Sequence, residues 1–592
     1  MQVGLKLALL FSAMVAITPS RVIAGEALQV VYPPDGHQTT ATQIFLIGSA
    51  PAQGQVTVNG KGIKRSSTGN FAPSFPLAVG ENIFTLQHGS QTLMLKVTRT
   101  AAATAPTTLG FIPDSLEPQV DLALAPYEPL CFKAKATPNA QVSVILGNQV
   151  VVPLQALAST VNLPPNSAVL TQNNQPIPQD SPGQYTGCTV FSEVGTLGKP
   201  IFQATTKDGQ VVDMPGAGTV EILDPSWLSV IEVISEQGVA RTGPSTDYSR
   251  LTPLPKGTQA RVTGKSGEWL RLDYGGWIKA KETLLVPSGR LPHALIRSVR
   301  SRQVPGWTEL VFPLELPVPI RVDQGDRTFT LTLYNTTAQT DVIAIHDDPI
   351  LRRLDWQQTA PGQVDYRFQL KSNRQWGYKL RYEGTSLILS LRHPPREAGL
   401  SQVKILLDPG HGSPNDLGAR GPTGTPEKDV TLVISRLVKA ELEKRGATVL
   451  MTREGDQDLY PQDRVDIINA QEPTVAISLH YNALPDQGNA EQTQGVGAFW
   501  YHAQSHDLAN FLHRQLVDKL GRPDYGVFWN NLALTRPTVA PAVLMELGFM
   551  IHPTEFEWIT DPKAQQTLAV NLAKAIAAWF TQPTTDPDTS VP

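Results

Sequence analysis

The segment VKILLDPGHG, residues 403–412, decides how the last third of this chain is read. Val403, Ile405, Leu406 and Leu407 form an apolar run of strand length, and Asp408-Pro409-Gly410 ends it in a turn that carries His411 beyond the strand. Four more runs of the same kind follow: TVLMTR (448–453), TVAISLH (474–480), VGAFWY (496–501) and AVLMELG (542–548). Between and after them, apolar residues recur at helical spacing. They run through Val430, Val433, Ile434, Leu437 and Val438, again from Leu508 to Leu520, and finally through Leu568, Leu572, Ile576 and Trp579. Strands alternating with helices predict an α/β unit with a largely parallel sheet over residues 402–582.

In such a sheet the functional groups collect beyond the carboxyl ends of the strands. The first strand ends in Asp408-Pro409-Gly410-His411-Gly412, the third in Ser478-Leu479-His480-Tyr481-Asn482 and the last in Glu546-Leu547-Gly548-Phe549. Glu427 opens the first helix, directly after Pro426. Two imidazoles and a carboxylate match a catalytic zinc site, which keeps a fourth position for water. A single histidine at the end of an apolar strand is more often hydrogen-bonded structure than a ligand, so the weight rests on the set. His502, His506 and His513 also share a helical spacing, but without the glutamate of an HExxH arrangement they are not expected to hold a metal. Arg464 is expected to be structural, and Asn482 to shape the rim of the site.

The segments LLDPGHG (406–412), EKDVTL (427–432), LYPQDR (459–464), AISLHYNA (476–483) and PAVLMELGF (541–549) follow one another in this order. In them the chain resembles the zinc-dependent N-acetylmuramoyl-L-alanine amidases of AmiC type, the amidase_3 family, from Val403 to Phe580. The resemblance implies that one Zn2+ ion is held by His411, Glu427 and His480, and that Glu546 is the catalytic acid and base. It implies hydrolysis of the amide between N-acetylmuramic acid and L-alanine in peptidoglycan, for cell-wall remodelling or daughter-cell separation. Peptidoglycan is the implied partner, with cell-division or envelope activator proteins beside it. The chain departs from the family at Met550-Ile551-His552, where Ser-Asn is common, and in its short 482–495 segment, where regulated members insert a helix. Two other readings stay in view: a zinc peptidase acting on stem peptides, which product analysis separates from an amidase, and a noncatalytic wall-binding scaffold, against which the complete set of four site residues argues.

The whole chain, at 592 residues, is too long for one hydrophobic core. Residues 1–24 read as a removable export signal: Lys6, the apolar stretch Leu7 to Ile17, and a small-residue cleavage site at Val22-Ile23-Ala24. The predicted location is therefore outside the cytoplasm, in the periplasm or cell wall, with no membrane span in the mature chain. Short alternating runs predict several small all-β units before the α/β domain: an immunoglobulin-like sandwich at 27–100, a linker at 101–116, a second sandwich-like unit at 117–226 with a long loop insertion, and a β unit at 290–396. Arg241 with Gly243-Pro244-Ser245, Leu254-Pro255-Lys256-Gly257, Trp269 and Gly276-Trp277 give residues 228–287 a resemblance to bacterial SH3-like domains. The 290–396 unit resembles the AMIN type of amidase-associated module by its place in the chain. Residues 583–592 are expected to be a disordered tail. The two cysteines, Cys131 and Cys188, fall in one β unit, where a disulfide and two buried thiols are both open. With 49 basic against 53 acidic residues the chain lacks the basic excess of a nucleic-acid binder.

Overall fold

The computed structural model describes residues 27–582 except 102–104, 148, 172–173, 288–291, 346 and 397–398. The expected signal at 1–24 and tail at 583–592 lie outside the described residues. Among the described residues no helix is long and apolar enough to cross a membrane.

In the last third the chain runs β1 (Lys404–Pro409), α1 (Glu427–Glu443), β2 (Thr448–Met451), α2 (Pro461–Gln471), β3 (Val475–Asn482), β4 (Val496–Trp500), α3 (His506–Leu520), β5 (Asp524–Trp529), β6 (Ala542–Phe549), α4 (Pro553–Thr560) and α5 (Pro562–Thr581). The sheet order is β2-β1-β3-β6-β4-β5. All neighbours are parallel except β4, which runs antiparallel to β6. The apolar faces of α1, α3 and α5 cover one side, where Ile434, Val438, Leu512, Leu572 and Trp579 join Ile405, Ile477 and Val543 in one buried core. The five runs predicted as strands are all present. The edge strand β5, interrupted by Gly526, and the short helices α2 and α4 carry too little apolar periodicity to be read from sequence.

Ahead of this domain lie small β units, each with its own core. Residues 294–392 form two facing sheets of five and four strands. The second and third units share one sheet, because Leu122 and Ala123 pair with Ser266 and Lys265. The predicted linker is folded at its far end, where Phe111 and Leu116 are buried in the core of the second unit. Cys131 and Cys188 sit opposite each other on paired strands and are bonded. The bond closes a separation of 57 residues. Replacing both cysteines by serine is expected to cost roughly 4 kcal/mol. The check is the urea midpoint of this unit's transition, and an unshifted midpoint would show that the bond adds no stability.

The expected loop insertion of the second unit is instead a long hairpin. Its strands, Val150–Asn162 and Ile177–Thr189, stay paired out to Asn162 and Ile177, with Val161 and Ile177 largely exposed. Strand pairing continues through polar sequence because each backbone group finds its partner across the hairpin, whatever the side chains are. The tip of this arm rests on the α/β domain, where the Tyr525 hydroxyl donates to the Leu170 carbonyl at 2.7 Å. The first sandwich also docks there. Phe45, Ile47 and Ala72 bury against Ala490, Phe549 and Ile551. Glu557 accepts from the Thr68 backbone at 2.9 Å and from the Ser67 and Thr68 hydroxyls, and Asp486 binds Tyr32 and His37. Both departures in sequence touch this docking surface. Ile551 is covered by the neighbouring unit, and the short 482–495 segment is bound to that unit through Asp486, Gln487 and Ala490. His552 caps α4, accepting from the Glu555 backbone at 3.2 Å.

Candidate metal centre

Three strand ends and one helix start converge at the carboxyl edge of the sheet. His411 follows β1, Glu427 is the first residue of α1, His480 lies near the end of β3, and Glu546 is paired with His480 on the adjoining β6. The imidazole nitrogens of His411 and His480 and a carboxylate oxygen of Glu427 lie within 4.8 Å of one another, the one such group among the described residues. Glu427 Oε2 is 3.2 Å from His411 Nε2, and its Oε1 is 3.1 Å from His480 Nδ1. The same carboxylate accepts from the backbones of Ala419 and Tyr481, each at 2.9 Å, which fixes its orientation.

The chain around His411 is held in a form it would not choose alone. His411 has φ of 59°, a left-handed conformation costly for a residue with a Cβ. Arg464 restrains it by donating to the carbonyls of Pro409 and His411 while pairing with Asp408 at 2.7 Å. The arginine expected to be structural is therefore structural, and the structure it maintains is the loop that carries His411. Arg453, buried below, donates to the Pro409, Gly410 and Lys428 carbonyls. Asp416 binds His411 Nδ1 at 2.6 Å, leaving Nε2 to face Glu427. Sequence reading missed Arg453 and Asp416. The charge ending the buried run TVLMTR was a signal for Arg453, whereas nothing in the spacing of a Gly- and Pro-rich loop says that Asp416 turns back to His411.

Two glycines make room for the His411 and His480 rings and the Glu427 carboxylate. A Cβ on Gly410 would lie 2.3 Å from the His480 ring, and one on Gly418, which has φ of +69°, would lie 2.5 Å from the His411 ring and 2.6 Å from Glu427 Oε2. Gly418→Ala is expected to lower metal content at stoichiometric zinc by displacing both ligands, with the fold retained. Unchanged metal content, measured by atomic absorption on the purified variant, would show that the loop yields instead.

Burial opposes charge on all of these groups, and their partners decide the outcome. Hydrogen bonds with His411 and His480 outweigh burial at Glu427 and hold its pKa down to about 2. At His411 burial is outweighed by Glu427 and Asp416, and the pKa rises to about 9. Glu546 has no such partner. Burial and the nearby charge of Glu427 push its pKa well above the ordinary carboxyl range, and its Oε2 is buried without a hydrogen-bond partner among the described residues. The surroundings thus drive the two carboxyl groups apart, Glu427 toward its anion and Glu546 toward holding a proton.

Elsewhere, Asn482 accepts from the next backbone N–H at the rim. His502 meets the Arg536 carbonyl, His506 packs on Trp500, and His513 meets the Val496 carbonyl, so these three serve separate structural contacts. In the SH3-like unit, Arg241 donates to the Thr246 and Tyr248 carbonyls and Trp269 is buried, which makes both part of the barrel's framework.

Residues 405–578 match the N-acetylmuramoyl-L-alanine amidase family, and residues 240–283 match the bacterial SH3 domain. The chain is 33% identical over 210 residues to a germination-specific N-acetylmuramoyl-L-alanine amidase of Bacillus subtilis, covering 32% of this chain and 84% of that one. It is 32% identical over 200 residues to a probable cell wall amidase LytH of Staphylococcus saprophyticus, covering 33% of this chain and 65% of the relative. A solved catalytic domain of CwlV, an N-acetylmuramoyl-L-alanine amidase from Bacillus (Paenibacillus) polymyxa var. colistinus, is 27% identical over 30% of this chain and 98% of its own, with a TM-score of 0.29.

Proposed function

The chain belongs to the N-acetylmuramoyl-L-alanine amidase family, and from that membership we propose how its own residues carry out the reaction. The enzyme hydrolyses the amide joining N-acetylmuramic acid to L-alanine in peptidoglycan. His411, Glu427 and His480 are the ligands of a single zinc ion, and Glu546 is the acid and base. The observation that carries this reading is the convergence of the three groups beside the Glu546 carboxyl, whose Oε2 is buried without a hydrogen-bond partner among the described residues. Two imidazoles and one carboxylate are a donor set that suits zinc with a position left open.

A bound zinc ion supplies Lewis acidity, bringing the pKa of water toward about 7 and polarising the amide carbonyl. The protein's part is placement and proton transfer. Asp416 fixes the tautomer of His411, and Arg464 and Arg453 hold the loop that presents it. Once the charge of a bound cation offsets burial and Glu427, Glu546 would be ionised, able to accept a proton from the attacking water and deliver it to the alanine nitrogen, which otherwise would leave as an unstabilised amine anion. A peptidoglycan substrate puts the working protein outside the cytoplasm, in periplasm or wall, where accessory β units raise the local concentration of an insoluble polymer.

Mass analysis of muropeptides tests the reading. Digestion is expected to release intact stem peptides that begin with a free L-alanine amine. Shortened stems still attached to sugar would identify a peptidase instead.

A further inference from the structure

The arm tip, the first sandwich and the α/β domain together enclose a cavity of about 490 Å³, within the range of small-molecule sites. Its wall is made by Gln43 of the sandwich, Leu170 of the arm, and the 487–494 segment, and its floor by Tyr525 and Phe528 of β5. It adjoins the catalytic edge. Gly497 of β4 pairs with both Glu546 on β6 and Gly526 on β5, and a Cβ on Gly497 would lie 3.0 Å from the Tyr525 ring and 3.6 Å from the Glu546 Cβ. One face of the sheet therefore leads from the catalytic carboxyl directly onto the cavity floor.

We propose that this cavity binds the glycan strand flanking the scissile amide, a neutral chain of N-acetylated sugars. The inference deepens the amidase reading and rests on it. The chemistry of the wall selects the ligand. The side-chain amides of Asn489, Gln492 and Gln494 make no hydrogen bond among the described residues, and each offers a carbonyl and an NH2 to sugar hydroxyls and acetamido groups. Tyr525 and Phe528 supply the ring faces against which the apolar face of a pyranose packs. Among the described residues no basic side chain lines the cavity, and the one acid that does, Asp524, lies 3.0 Å from His513. A stem peptide rich in carboxylates finds no counter-charge there, whereas an uncharged sugar needs none.

The full chain would be assayed on soluble uncross-linked peptidoglycan strands and on a single N-acetylmuramic acid bearing a tripeptide. Phe528→Ala removes a ring of the floor. Because Phe528 also stacks on Phe499, the double variant Gln492→Ala/Gln494→Ala, at exposed positions, provides a second probe that leaves the core alone. Both variants are expected to raise the apparent KM for strands about tenfold, the scale of losing a buried contact, with kcat and the single-sugar substrate unaffected. Equal losses on both substrates, no change on either, or faster strand cleavage, as from an arm that merely plugs the site, would each overturn the proposal. A wild-type chain that cleaves neither substrate would instead sink the amidase reading. Binding of peptide-free glycan strands, weakened or not by the same variants, then decides the cavity separately.

Discussion

Glu546→Gln is expected to lower the rate of peptidoglycan hydrolysis at least about a hundredfold, the lower end of what general acid and base catalysis contributes, while the protein keeps its full complement of zinc. Glutamine matches the buried carboxyl in shape, so the surrounding Gly497 and Met545–Leu547 backbone need not move. It can neither take a proton from water nor pass one to the alanine nitrogen. Because Glu546 stands beside the three proposed ligands and is not among the converging groups, metal content and activity should separate. The two measurements are zinc stoichiometry and single-turnover release of stem peptide. Equal turnover by variant and wild type would remove Glu546 from the mechanism, and loss of zinc with activity would make it a ligand.

The second large effect concerns the ion. His480→Ala removes one of the three proposed ligands and should leave hydrolysis at background with zinc content far below one per chain, and a chelator should do the same to the wild type. A pH dependence follows with a definite sign. In the metal-free protein burial works against the His411 imidazolium, but Glu427 and Asp416 outweigh it and keep the ring protonated up to about pH 9. A metal ion must displace that proton below this pH. Apparent zinc affinity should therefore rise with pH, by about tenfold per unit for one displaced proton, and level off as pH passes 9. Glu427, held down to a pKa of about 2, stays ionised throughout and adds no slope. Competition against a chelator of known affinity at several pH values checks this, and a flat profile would show that His411 surrenders no proton to the metal.

Much of the α/β domain was legible because its signals are local. A strand buried in a parallel sheet needs a run of apolar residues, and a covering helix needs them at helical spacing; both patterns are written in consecutive residues. The four residues placed in the site could also be found in sequence, since strand ends and helix starts are where such a sheet exposes polar groups. Strand β5 was not found because it carries Gly526 and, as an edge strand, has no fully buried residue to give it an apolar run, and its importance is positional, as the floor that adjoins Glu546.

The amino-acid sequence by itself determined the α/β domain, the chain of β units before it and the identity of the residues that meet at the catalytic edge. Only the tertiary structure decided that the apparent loop insertion is a paired arm reaching Tyr525, that Phe45 and Ile47 cover Ile551, and that Asp416 and Arg464 hold His411 in a left-handed conformation. The reason is physical. Secondary structure follows from regular interactions between residues a few positions apart, whereas most of these contacts join segments tens to hundreds of residues distant, and the one that is near in sequence, Asp416 to His411, is made by an irregular loop with no repeating pattern to read.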